Sequence, residues 1–152
     1  PGLGWSSHAR DRERFSNLLK ELDLGLEDRL TSKVGLLSGG QRQAVTLLMA
    51  TLNQPKLLLL DEHTAALDPK TAAKVLALTE KIVTENHLTT LMITHNMRDA
   101  LRYGNRLIMM HNGAIIVDVQ GAQKANLDVP DLMKMFEQAA GGEFASDRML
   151  LG

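Results

Sequence analysis

Leu57-Leu58-Leu59-Leu60, set between the breaker Asn53-Gln54-Pro55 and the acidic pair Asp61-Glu62, constrains this chain more than any other segment. Periodicity does not separate strand from helix in so short an apolar run, but its length and the charged pair at its end favour a strand. It reads as a strand buried on both faces, the habit of parallel sheets. Asp68-Pro69 then starts a helix, an N-cap followed by proline at the first helical position, and Ala72, Val75, Leu76, Thr79, Ile82 and Val83 continue it. Leu88–Thr94 reads as another buried strand, and Met97–Tyr103 as a short helix closed by Gly104. Strand, helix, strand, helix in that order predicts an α/β fold with a parallel core.

The flanks supply helices and a hairpin. From His8 to Leu22 the apolar residues Phe15, Leu18, Leu19 and Leu22 follow helical spacing, and Gly25 suits a C-cap. Leu26–Leu36 is mixed and reads as a short helix plus turn. Ser38 starts a further helix, with Gln41 placed to complete a capping box and Ala44, Leu47, Leu48, Thr51 and Leu52 forming its buried stripe. Arg106–Met110 and Ala114–Val119 flank His111-Asn112-Gly113, whose Asn-Gly is a strong hairpin signal. Val129–Ala139 is a final helix, and Gly141-Gly142 opens a polar tail.

Composition removes several classes of function. Seventeen basic and 18 acidic residues give a net charge of -1, which provides no electrostatic case for a nucleic-acid partner. The absence of cysteine excludes disulfides and thiolate metal sites, and suits a cytosolic protein. No apolar run approaches the roughly 20 residues of a membrane helix, and the first seven residues lack the apolar centre of a signal peptide. A chain of 152 residues fits one domain with a core of its own.

The chemistry concentrates in three places. In Leu37-Ser38-Gly39-Gly40-Gln41, a serine and two glycines precede a helix, so backbone N–H groups can approach an anion closely and the helix dipole favours it. By itself this is also how a capped glycine turn looks. Asp61 follows twenty residues beyond Gln41, and with Glu62 it places two carboxylates at the C-terminal end of a strand, where α/β sheets put their ligand crevice. Such a pair divides labour well: one carboxylate holds a hydrated Mg²⁺, the other positions and activates water. His95, after the second strand, is placed to reach a γ-phosphate, whereas His8, His87 and His111 read as surface or core residues. These features together point to nucleotide hydrolysis. No Gly-x-x-x-x-Gly-Lys-[Ser/Thr] loop accompanies them, and no Gly-Lys pair occurs in the chain.

Leu37–Gln41, Leu57–Glu62, Ala66-Leu67-Asp68 and Thr94-His95 resemble, in order and spacing, the signature, Walker B, D-loop and switch motifs of the ATP-binding subunit of ABC transporters. The resemblance covers about residues 8–120. It implies a partial P-loop NTPase (RecA-like) core over residues 37–121, a remnant of the family's helical subdomain over 1–36, and a C-terminal helix and tail over 122–152. It also implies roles. Asp61 would hold Mg²⁺, Glu62 would be the catalytic glutamate, and His95 would contact the γ-phosphate. Ser38, Gly39, Gly40 and Gln41 would contact the γ-phosphate of ATP held by a second ATPase subunit, and Asp68 would lie at the dimer interface. Transmembrane permease subunits would be the further partners, and the protein would sit at the inner face of the cell membrane without entering it.

Two departures from the family pattern stand out. His63 occupies a position where many members carry proline or alanine, and reads as a tolerated subgroup variant. The Walker A loop, adenine-stacking aromatic and Q-loop should precede residue 1, and Trp5 has no Walker A after it. The leading expectation is the C-terminal portion of an importer ATPase, and the pattern around Asp61–Lys70 resembles importers of the tryptophan/tyrosine type. A non-catalytic module lending its signature to a complete partner is the second reading. A DNA-repair ATPase is the third, opposed by the neutral charge and by the short path from the helical residues to Leu37.

Overall fold

Ser38 organises the helix Gly39–Thr51, α1 in the numbering used below. The computed structural model describes residues 9–10, 12–14, 16–17, 19–20 and 37–151, without the side chains of 142–151. The described residues divide after Ile93 into two compact units. In the first, Ser38 Oγ accepts from the Gln41 N–H at 3.2 Å, and Gln41 Oε1 accepts from the Ser38 N–H at 2.9 Å. This is the expected capping box, contributing about 1 kcal/mol.

The strand β1 (Leu58–Asp61) pairs in parallel with β2 (Thr90–Ile93), Leu59 opposite Leu91 and Asp61 opposite Ile93. Between them runs α2 (Pro69–Glu85), capped by Asp68, whose carboxylate accepts from the Thr71 N–H at 3.0 Å. One core joins these elements: Leu37, Ala44, Leu47 and Leu48, Leu58 and Leu60, Leu78 and Ile82, Leu88, and the helical residue Leu19. Each leucine withdrawn from water in this way contributes about 2 kcal/mol.

The strands are not buried on both faces as expected. Leu58 and Leu60 face the core, but Leu57, Leu59, Leu91 and Ile93 are about half exposed or more. Among the described residues, only one side of this short sheet is covered. Leu52, expected on the buried stripe of α1, is the exposed C-cap residue. The strand expected over Leu88–Thr94 forms ladder pairs only from Thr90 to Ile93. The expectations for Phe15, Leu18, Leu22, Gly25 and Leu26–Leu36 lie outside the described residues.

The second unit holds α3 (Met97–Arg102), β3 (Arg106–His111), β4 (Ala114–Gln120), α4 (Gly121–Ala125) and α5 (Val129–Leu151). The antiparallel hairpin turns through Asn112 and Gly113 at φ 48° and 76°, both left-handed, as a two-residue turn of matched twist requires. Leu107, Val117, Val119 and Leu132 form its core. His111 packs edge-on against Phe136, ring centroids 5.4 Å apart.

Two features here depart from expectation. Helix α4 was not legible as a separate element; it buries Lys124, whose Nζ donates to the carbonyls of Tyr103 and Gly104 at 2.7 Å each. Helix α5 runs through Gly141-Gly142 to Leu151 instead of stopping at Ala139. No helix of the described residues is long and apolar enough to cross a membrane.

Candidate functional site

The first unit holds most of the residues singled out by sequence, and His95 lies in the second. At the N-terminus of α1, the capping box engages the N–H groups of Ser38 and Gln41. Those of Gly39 and Gly40 have no carbonyl one turn earlier in the helix to receive them. Ser38 Oγ acts as acceptor in the box and retains a proton to donate. The helix terminus thus combines amides that lack an intrahelical acceptor with the dipole that anions favour.

Both glycines abut the segment that follows β1. A Cβ on Gly39 would stand 3.5 Å from a methyl of Leu67, and one on Gly40 would overlap the Cγ2 methyl of Thr71. Leu67 precedes Asp68, and Thr71 donates its N–H to the Asp68 carboxylate. The glycine turn and the Ala66-Leu67-Asp68 segment are therefore packed neighbours, although more than twenty residues separate them in the chain. Hydrogen bonds from Thr71, side chain first and backbone second, hold the Asp68 carboxyl below its ordinary 3.8.

At the end of β1, Asp61 is paired opposite Ile93, and both Asp61 and Glu62 are exposed. Glu62 has φ 49°, a left-handed conformation costing an L-residue about 1–2 kcal/mol. Backbone hydrogen bonds hold it there: its N–H donates to Ile93 O at 2.9 Å, and its carbonyl accepts from the Ala65 N–H at 3.1 Å. A second turn follows, Leu67 N–H to Thr64 O at 3.1 Å, and delivers the chain to Asp68. Strained backbone of this kind concentrates at functional sites.

His63 is the residue whose place sequence reasoning missed. Half-buried, its Nε2 lies 3.1 Å from Thr79 Oγ1 on α2, and burial pushes its pKa below the usual 6.5. A separation of 16 residues, with no shared periodicity, offered no signal for this pairing.

His95 belongs to the second unit. It is exposed, in the turn before α3, between Thr94, whose hydroxyl accepts from the Asn96 N–H at 3.0 Å, and Asn96, which caps that helix.

The donor set at the end of β1 suits a hard cation. Carboxylate oxygens are Mg²⁺ ligands, and among the described residues no group of three or more His, Asp or Glu side chains could enclose a metal alone. Mg²⁺ is typically held through one or two carboxylates, with water and substrate phosphate completing its shell.

The comparisons with known proteins bear on the family and the fold. The sequence profile of the family described as "ABC transporter" matches residues 5–65. A tyrosine transport ATP-binding protein of Clostridioides difficile is 54% identical over 125 residues, 82% of this chain and 50% of that protein. An aliphatic sulfonates import ATP-binding protein of Burkholderia ambifaria is 37% identical over 150 residues, 99% of this chain and 44% of that protein. A methionine import ATP-binding protein of Enterococcus faecalis is 39% identical over 110 residues, 72% of this chain and 30% of that protein. Among solved structures, an ATP-binding cassette of an ABC transporter in its ADP conformation superposes with TM-score 0.63 at 28% identity, covering 82% of this chain and 48% of the other. The chain thus spans half or less of the length of these relatives. With its signature, Walker B and D-loop motifs on a parallel α/β core of the P-loop NTPase fold, the chain belongs to the ATP-binding family of ABC transporters.

Proposed function

We propose that this chain carries the C-terminal portion of the ATP-hydrolysing subunit of an ABC importer, of the type that takes up aromatic amino acids. The single observation behind the catalytic part is Glu62, held left-handed by Ile93 O immediately after Asp61 at the end of a parallel strand. The 54% identity to a tyrosine transport ATP-binding protein supports the substrate class.

In this reading Glu62 orients the attacking water and accepts its proton, while Asp61 would hold Mg²⁺. The metal, when bound, neutralises charge on the phosphates. Ser38, Gly39, Gly40 and Gln41 present the N-terminus of α1 to the γ-phosphate of ATP held by a second ATPase subunit, and Asp68 lies at that dimer interface. His95 contacts the γ-phosphate. Permease subunits in the cell membrane receive the work of ATP-driven dimerisation from its inner face.

Replacing Glu62 by glutamine in the complete subunit tests the assignment. Glutamine keeps the side-chain shape and loses the base. With ATP and Mg²⁺, the variant should elute as a dimer on size exclusion and the parent mostly as a monomer. Equal elution of the two removes Glu62 from the role of base.

A further inference from the structure

His63 follows Glu62 directly, and its ring is tied to α2. Nε2 lies 3.1 Å from Thr79 Oγ1, and Thr79, buried in the middle of the helix, donates its hydroxyl to Val75 O at 2.8 Å. A threonine hydroxyl has a single proton. With that proton committed to Val75, Thr79 Oγ1 accepts, and the ring proton of His63 is on Nε2. The contact therefore runs from the residue after Glu62 into a helix fixed in the core by Val75, Leu76, Leu78 and Ile82.

Glu62 is held on its other side by backbone, through Ile93 O and the Ala65 N–H. Its left-handed φ of 49° persists only where the surroundings over-determine it. These two backbone bonds tie the peptide planes on either side of Glu62, the second through its carbonyl, and the side-chain anchor on His63 adds a further tie at the residue that ends the second plane.

We propose that His63 is a positioning residue for Glu62: docked on Thr79, it holds the peptide after Glu62 and so sets the direction of the Glu62 carboxylate during ATP hydrolysis. This rests on the reading of Glu62 as the base. His63 acts through Glu62 and touches neither nucleotide nor water itself.

The test uses the complete subunit. Thr79→Val removes the accepting oxygen at nearly constant volume, and Thr79→Ser keeps it. Thr79→Val is expected to lower kcat about tenfold with KM for ATP unchanged to about twofold, because a misaimed base costs the transition state more than the bound ground state. Thr79→Ser should restore kcat. His63→Ala combined with Thr79→Val should lose no more than His63→Ala alone, since both remove one interaction. Parent-like kcat in Thr79→Val, a KM raised by the same factor, or failure of serine to restore turnover overturns the proposal. Glu62→Gln is assayed alongside. Turnover surviving there overturns the base assignment and this proposal together; turnover lost there but intact in Thr79→Val overturns the positioning role alone.

Discussion

The Cγ2 methyl of Thr71 occupies the space that a side chain at position 40 would need, so Gly40 and Thr71 are a fitted pair. The same threonine donates its N–H to Asp68. One residue at the start of α2 thus supports both the capping aspartate and the close approach of the signature glycine turn.

Gly40→Ala should therefore destabilise the fold. Alanine gains up to about 1 kcal/mol of helix propensity over glycine. Overpacking against a β-branched side chain, stiff at χ1, costs about 1–3 kcal/mol and outweighs it. Thr71→Ser deletes the opposing methyl and keeps the hydroxyl, so the double variant should regain part of the loss. Urea melts check this; a Gly40→Ala variant as stable as the parent, or one that serine does not improve, refutes the packing account.

The 152-residue chain by itself should hydrolyse no ATP above background. Positioning and electrostatics supply nearly all the catalysis of phosphoryl transfer, and no Gly-Lys pair exists in this sequence to cradle the phosphates. A phosphate-release assay on the purified chain checks it. Turnover that Glu62→Gln abolishes would show that the chain suffices.

Leu59, Leu91 and Ile93, at 64%, 53% and 48% exposure, share one side of the β1–β2 sheet and should drive self-association of the purified chain. Covering a leucine side chain gains about 2 kcal/mol, and contiguous apolar patches are unusual on soluble monomers. Sedimentation at micromolar concentration should show oligomers that Leu59→Lys combined with Leu91→Lys disperses. A parent that sediments as a monomer contradicts this.

Stability should fall as the pH drops below about 6.5 in a way that depends on His63. Burial depresses its pKa in the folded chain. Between that lowered value and 6.5 the unfolded chain binds more protons than the folded one, so folding loses stability as pH falls through this window and is unaffected above it. Urea midpoints at about pH 7.5 and about pH 5.5 should differ less for His63→Gln, which cannot titrate there. An equal difference in both proteins assigns the pH dependence to other groups.

Local chemistry was legible where it depends on neighbours in the chain. Ser38 and Gln41 stand at the spacing of a capping box and form one. Asp68-Pro69 starts a helix, and Asn112-Gly113 turns a hairpin, because φ preferences and side-chain caps act within a few residues. The four leucines of 57–60 announced a strand, but the expectation that both its faces are covered fails at Leu57 and Leu59.

The sequence by itself determined the parallel α/β order, the helix caps, the hairpin and the motifs that identify the family, since periodicity, turn chemistry and motif spacing are written along the chain. Tertiary structure alone decided the rest. It seated the Thr71 methyl against Gly40, exposed Leu59 while burying Leu58, tied His63 to Thr79, and carried α5 through two glycines. Those outcomes depend on which elements pack side by side, and burial and contact across 16 or more residues follow from the folded arrangement, which no local pattern encodes.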